Sequence, residues 1–373
     1  MLQSLAEVPS DHPALWGRLA VRPSEPLITL DDALVLPPRS HRGVKHWWRR
    51  HSYGVFDRLG QHVSSLNDMR GERHCCHPPS RLESCIYRAE RTVELPLVLY
   101  GGSLYDHFGH LLVETARAYQ LLRHYRDSPL TLWFHDSTPH RGSTLKLGFV
   151  KKWLKCMGIR QRVRLIRRPI LAKKLISSCA LYNDRYFVSK DIRIACQAAL
   201  KPRLASAIAE QAQTRRRVAY LSRHKLQTGS TKFTQETELV ERLKTVRHVD
   251  VICPEELTFR QKLRLYQDYE FICGFPQSCM NLKLFVPGDD LAKQVMFIAG
   301  PRSLSSSWVN IEQATHFGDY YVDCPGEDEA ADLNAAGVAE LNATRSTEDI
   351  SPFQRCNDFD VDTVFTTIKH LAH

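Results

Sequence analysis

The chain has 373 residues, of which 43% are hydrophobic and 25% charged, a size that one core rarely fills and a composition that excludes disordered and collagen-like classes. Its 51 Lys and Arg exceed its 41 Asp and Glu, for a net charge of +10, which favours phosphorylated small molecules, polyanions or acidic membrane surfaces. No apolar run approaches the roughly 18 residues that span a bilayer, no leader pattern opens the chain, and the 11 Cys are scattered rather than framed, so the expectation is a cytoplasmic protein, free or peripheral at the inner face of a membrane.

Up to about residue 95 the pattern reads as short strands and loops. The run Lys45-His46-Trp47-Trp48-Arg49-Arg50-His51 suits a membrane interface or a stacked nucleic-acid base. The plainer alternative seats both Trp on the core and leaves the cations in water. His74-Cys75-Cys76-His77 has ligand chemistry without the two-residue spacing of a structural zinc site, and no metal is expected.

From Leu95 the periodicity sharpens. A strand ending at Tyr100, a Gly101-Gly102 break and one long helix from Asp106 to Arg126 are expected first. Strand Leu130 to His135, helix Ser143 to Met157, strand Arg162 to Ile166 and a helical span over Asp191 to Ala212 follow. The second half alternates more regularly: strand Val218 to Ser222, helix Thr234 to Val246, strand Val249 to Cys253, helix Thr258 to Tyr269 and strand Phe271 to Gly274. A short helix over Ser278 to Phe285, strand Gln294 to Ala299 and helix Ser307 to His316 complete it. Such alternation implies parallel crossover units. The fold class is therefore α/β, with Rossmann-like domains over 1–195 and 196–325. An acidic loop and terminal segment, 326–373, is expected to pack back on the first domain.

Three features carry chemistry. In the first, His107, His110, Glu114 and Arg117 of the long helix fall within an arc of roughly 80° at 3.6 residues per turn. Among apolar neighbours on most other sides, this ladder is a satisfied core network or a site, and His with Glu supplies proton transfer near neutral pH. In the second, Arg215 to Arg223 reads as a strand ending in a cation, where open parallel sheets bind ligands. Lys225, Lys232 and the helix opening near Thr234 add positive charge for a departing diphosphate. In the third, the loop Gly274 to Phe285 leaves a strand through a glycine, with Ser278 placed to cap the helix that follows.

Taken in order, these features resemble glycosyltransferase family 61, over roughly Tyr105 to Phe285. Phe108, His110, Glu114 and Arg117 match an aromatic, His and Glu helix start of that family. Tyr220-Leu221-Ser222-Arg223 matches its strand end. Lys232 and Gln235-Glu236 stand near a basic residue followed by an Asn-Glu pair, with Glu238 at a further acidic position. Pro254-Glu255-Glu256-Leu257 followed by Gln261 also fits. The last loop departs, with Pro276-Gln277 in place of His-Gly or Asp-Gly, while keeping Ser278, Asn281 and Phe285.

The resemblance implies two domains facing across a cleft in the GT-B manner, the first holding a glycan or lipid-linked glycan acceptor and the second a nucleotide-sugar. It implies a hexosyl- or pentosyltransferase that inverts the anomeric carbon without metal or cofactor, in surface or capsular polysaccharide synthesis. On that reading His110 or Glu114 is the base or its orienting partner, with His107 beside them, while Arg117 and Asp106 meet the acceptor. Arg223, Lys225 and Lys232 hold the diphosphate, and Glu236, Ser278 and Asn281 complete the donor pocket. Two alternatives stay open: an inactive transferase-like binding protein, suggested by Pro276-Gln277, and a basic nucleic-acid-associated protein, for which no recognition motif is present.

Overall fold

The computed structural model describes residues 1–40, 51–71, 73–74, 92–137, 143–210, 214–226, 231–233, 235–326 and 355–373. Trp47 and Trp48, Cys75 to His77, Thr234 and most of the acidic segment lie outside them. The described residues form a mixed α/β structure with several sheets and nine α-helices. Their contacts divide into two compact units, one of residues 17–205 with 313–315, the other of residues 1–16, 206–312 and 316–373.

The first unit is built on six strands: β1 (Leu27–Ser40), β2 (His51–Phe56), β3 (Val93–Leu104), β4 (Leu132–Asp136), β5 (Val163–Leu165) and β6 (Ile170–Ser178). They lie in the order β5-β4-β3-β6-β1-β2. The run from β5 to β6 is parallel, but β1 is antiparallel to both β6 and β2, so this sheet is mixed rather than purely Rossmann-like. The long strand β1 corrects the expectation of short strands before residue 95. Asp31-Asp32 and Pro37-Pro38 interrupt its apolar pattern, and the prolines are accommodated where its register against β2 slips between Leu36 and Arg39.

The unit's helices are α1 (Phe108–Val113), α2 (Ala116–Tyr125), α3 (Gly148–Met157), α4 (Ile192–Ala199) and α5 (Pro202–Ala209), the last crossing into the other unit. The single helix expected over Asp106 to Arg126 is thus two. Glu114 closes α1, and Thr115, with ψ of 3°, steps out of helical geometry before α2 begins. The span Asp191 to Ala212 is likewise cut at Pro202, whose ring fits a first helical turn but cannot continue one.

The second unit alternates as its periodicity requires: β7 (Arg216–Leu221), α6 (Glu236–Leu243), β8 (Val249–Ile252), α7 (Phe259–Asp268), β9 (Tyr269–Gly274), a 3-10 run Ser278–Phe285, β10 (Lys293–Ile298), α8 (Ser306–Thr315) and β11 (Tyr320–Asp323). The five strands are parallel in the order β8-β7-β9-β10-β11, and the short strand Gln3–Ser4 closes the β11 edge in antiparallel pairing. Thr258 and Gln261 form a capping box on α7, which gives Gln261 a structural reason to stand where the family resemblance placed it. The terminal helix α9 (Val361–Ala372) buries Val364 and Ile368 against Val218, Leu239 and Leu243 of this same unit, correcting the expectation that the terminal segment joins the first domain. Among the described residues no helix is long and apolar enough to cross a membrane.

Within the first sheet, His135 on β4 is wholly buried. Its Nε2 lies 2.8 Å from the Leu36 carbonyl, so it donates there, and its Nδ1 accepts from the Tyr100 hydroxyl at 2.8 Å. Burial lowers its pKa from 6.5 to about 4, against the pull of the Leu36 carbonyl and with a further push from Arg117. Between those values the unfolded chain binds a proton that the folded chain refuses, so stability rises with pH across the window and is lost on acidification. We expect denaturant unfolding to show up to about 3 kcal/mol of acid-side loss from this residue between pH 6.5 and 4. His135→Gln, which keeps a donor and an acceptor without a titrating ring, should flatten that part of the profile, and an unchanged profile would clear His135 of the effect.

Candidate functional site

In the first unit, β3 ends at a turn that delivers the chain to α1, and the polar residues at that junction sort into an exposed rim and a buried floor. His107 occupies the position just before α1 with its ring exposed, and Asp106 is half-buried beside it. The His107 and His110 rings lie 4.8 Å apart between centroids. His110 Nδ1 lies 2.5 Å from Glu114 Oε1, with the imidazole 27% and the carboxylate 4% exposed. Residues i and i+4 meet on one helix face, so α1 supplies a half-exposed imidazole clamped on a buried carboxylate.

Arg117 does not join this rim. The break at Thr115 turns it inward, where it is 2% exposed and donates from Nη2 to the Asn67 carbonyl at 3.2 Å. Arg117 is therefore part of the floor rather than an acceptor contact. Beside it, buried Asp68 accepts from the Ser103 hydroxyl. Burial raises the Asp68 pKa and the nearby Glu114 adds to the rise, while Arg117 and Ser103 oppose it. Gly102 turns the chain beside them at φ +82°, a left-handed conformation that favours glycine. The sequence offered no signal for Asp68, which is remote in the chain from the α1 ladder.

In the second unit the strand order reverses direction between β7 and β9, and in open parallel sheets ligands sit outside the carboxyl ends of strands at such a switch point. Ser222 and Arg223 leave β7 there, and Gly274 leaves β9. Glu236, from the first turn of α6, is 2% exposed and fixes this end of the sheet. Its Oε1 accepts from the Tyr220 hydroxyl at 3.0 Å, the Ser222 hydroxyl at 3.2 Å and the Arg223 backbone N–H at 2.8 Å. Burial raises its pKa, and those three hydrogen bonds with the Arg223 charge pull it back. The Arg223 side chain is half-buried, and burial lowers its pKa while Glu236 supports its charge. Its guanidinium has no hydrogen bond or ion pair with the described residues.

The other expected donor residues separate from this pair. Lys225 is exposed and held 2.8 Å from Glu256, so its charge is already answered. Lys232 is exposed on a short strand, Thr231–Phe233, that pairs with Arg355–Asn357. Ser278 does not cap: Gln277 holds the position before the 3-10 run, without a side-chain cap. Asn281 is 9% exposed and lines an internal cavity with Lys283, Gln294, Glu312 and Asp319, away from the strand ends. The first turn of α6 already carries Glu236 and Glu238, so its positive end faces carboxylates rather than standing open to an anion.

Gln277 is the residue the sequence undervalued. Its Nε2 donates to the Leu221 carbonyl at 2.9 Å, tying the loop after β9 to the end of β7, while its Oε1 accepts from the Cys279 thiol at 3.3 Å. A Cβ on Gly274 would stand 3.0 Å from that same carbonyl, so the close approach of the two strand ends requires glycine. Burial pushes the Cys279 thiol up to about 12, which keeps it a neutral donor.

The family model of Glycosyltransferase 61 matches residues 108–288. That span begins at α1 and ends just past the 3-10 run after β9, and so covers the switch-point residues together with His110, Glu114 and Arg117, but not Asp68, Ser103, Asp106 or His107. No curated protein matches the chain.

Replacing Glu236 by Ala takes the acceptor from the Tyr220 hydroxyl and the Arg223 N–H, while the Ser222 hydroxyl keeps His224 Nδ1 at 2.7 Å, and at about 1–3 kcal/mol per unsatisfied group we expect a loss of at least about 2 kcal/mol in denaturant unfolding. Glu236→Gln keeps an acceptor oxygen and should lose far less. Equal losses in the two variants would mean that the carboxylate's charge, rather than its hydrogen bonds, fixes the strand end.

Proposed function

Because the chain belongs, over residues 108–288, to glycosyltransferase family 61, we propose that it transfers a sugar from a nucleotide-sugar to a hydroxyl of a glycan acceptor, with inversion. The observation that carries this reading is the switch-point arrangement in which a half-buried arginine, without a hydrogen-bonded or ion-paired partner among the described residues, follows a strand end that Glu236 and Gln277 hold in place. Such a preorganised cation suits a diphosphate whose charge grows as the donor bond breaks.

In this proposal the acceptor oxygen attacks the anomeric carbon, and the bond from that carbon to the phosphate oxygen breaks with its electron pair leaving on the nucleoside diphosphate. Arg223 meets that charge. The acceptor proton passes to His110 Nε2, since Nδ1 is engaged by Glu114, and the carboxylate stabilises the imidazolium that forms. His107 borders the same surface and orients the acceptor. Asp68 and Arg117 are buried in the same unit. A GT-B arrangement, with the acceptor on the 17–205 unit and the donor on the other, belongs to the proposal, as do independence of metal, a cytoplasmic location and a role in surface or capsular polysaccharide synthesis. These finer parts rest on the family resemblance.

A second reading has one observation in its favour. Gln277 replaces the family's more usual residue pair and spans the switch point with its side chain, which suits a protein that binds a glycan without turnover.

Thermal unfolding with a panel of nucleoside diphosphates and nucleotide-sugars separates the two, because a ligand of the folded state raises the melting temperature. We expect a rise with one nucleotide class, with affinity weakened in Arg223→Ala by about 1.5–3 kcal/mol. His110→Ala should keep that rise and lose about 10²–10⁴ in turnover. A melting temperature indifferent to every nucleotide would favour the non-catalytic reading.

A further inference from the structure

The positive charge of the chain is concentrated in one place. Residues 137–183 contain 12 Lys and Arg and no Asp or Glu, while the other 326 residues carry 39 Lys and Arg against 41 Asp and Glu. The excess over neutrality therefore comes entirely from this stretch, which includes α3, the turn after it, β5 and all of β6.

The fold turns much of that charge outward. In α3, Val150, Trp153, Leu154 and Met157 are buried, while Lys152 and Lys155 stand exposed on the opposite face. Arg160 is exposed in the next turn and Arg164 on the edge strand β5. Among the described residues, Arg164 donates to the Gln161 and Val163 carbonyls. Arg167 pairs with Asp136 and Lys173 with Asp32, and Arg162 is spent on the carbonyls of Leu130, Arg126 and Tyr125. Lys152, Lys155 and Arg160 have no ion pair with the described residues. At the start of α3, half-buried Phe149 meets half-buried Phe108 of α1 edge to face at 6.3 Å, so the cationic helix adjoins the His107 and His110 rim within the same unit.

We propose that the outward face of α3 and its following turn docks this protein on a bilayer rich in acidic phospholipids, through Lys152, Lys155 and Arg160. A short helix that has buried its apolar side and turned cations outward offers a shallow charged face, which suits a plane of lipid phosphates. Each such cation near an anionic surface strengthens attachment, and salt weakens it within a Debye length. Half-buried aromatics at the edge of the face suit the headgroup boundary. The choice of a bilayer over another polyanion rests on the transferase reading, in which the adjoining His110 rim receives the acceptor: docking there would present a lipid-linked glycan to that rim.

The test is co-sedimentation of the full chain with vesicles of phosphatidylcholine alone and of phosphatidylcholine with phosphatidylglycerol, at low and high salt. We expect binding only to the acidic vesicles, reversed by salt. Lys152→Glu/Lys155→Glu/Arg160→Glu should lower the partition coefficient at least about tenfold without changing the melting temperature, since all three side chains are exposed. Lys190→Glu/Arg247→Glu/Lys369→Glu, with the same change in net charge elsewhere, should bind nearly as well as the parent. Failure to bind acidic vesicles, or equal loss in both triple variants, would overturn the proposal. So would a duplex DNA that binds more tightly than the vesicles at matched salt and is lost in the α3 variant, which would assign the face to nucleic acid. A nucleotide-induced rise in melting temperature that survives in the α3 variant would leave the transferase reading standing whichever way the vesicles fall.

Discussion

A single buried carboxylate fixes the carboxyl end of β7 in the second unit. Glu236 stands three residues beyond the short strand Thr231–Phe233, yet it reaches back to the end of β7 and gathers three donors on one oxygen. Removing a carboxylate from water is costly and raises its pKa, and only this full set of partners makes the position tolerable. The consequence is positional. With its own backbone N–H pinned, Arg223 must leave the strand in one direction, and the loop from β9, tied by Gln277 to Leu221, fixes the facing wall.

The first unit uses the opposite arrangement to a similar end. There a buried cation, Arg117, lies among carboxylates instead of a carboxylate among donors. Asp68 lies in the field of both Arg117, which lowers its pKa, and Glu114, which raises it, and Gly102 turns the chain here at φ +82°, a conformation that favours glycine. His110 stands half-exposed above the buried Glu114 carboxylate, 2.5 Å away, and in the proposed transfer that carboxylate orients the imidazole and stabilises its charged form.

Much of this was legible in the sequence, and the parts that were not have physical reasons. The parallel sheet of the second unit followed from the spacing of Val218, Val249, Phe271 and Gln294 between amphipathic helices, and the 3-10 run Ser278–Phe285 fell where a short helix was expected. Helical periodicity grouped Arg117 with His110, because residues seven apart share a face in an unbroken helix. The break at Thr115 is set by tertiary packing that a one-dimensional pattern does not contain. Lys225 looked like a phosphate ligand because its partner, Glu256, sits 31 residues away on another loop. Asp68 went unread for the same reason, since it matters through a contact distant in sequence, and Gln277 was read only as a departure from the family, because its tie to Leu221 spans 56 residues. Pro37-Pro38 misled in another way, since a register slip absorbed residues that ordinarily end a strand.

Charge was the feature most open to misreading. A net +10 invites the inference that the donor site is strongly cationic, yet at the switch point Lys225 is neutralised by Glu256, Arg223 is balanced by Glu236, and Glu255 adds a further acid nearby. In the proposed transfer, a guanidinium fixed among these carboxylates would respond to the charge that develops on the diphosphate during bond breaking rather than to any anion in solution. The surplus lies instead on the residues around α3, in the unit that carries His110 and Glu114. Net charge in this chain therefore describes a surface and what it approaches, while the chemistry depends on a few charges whose partners were already in place.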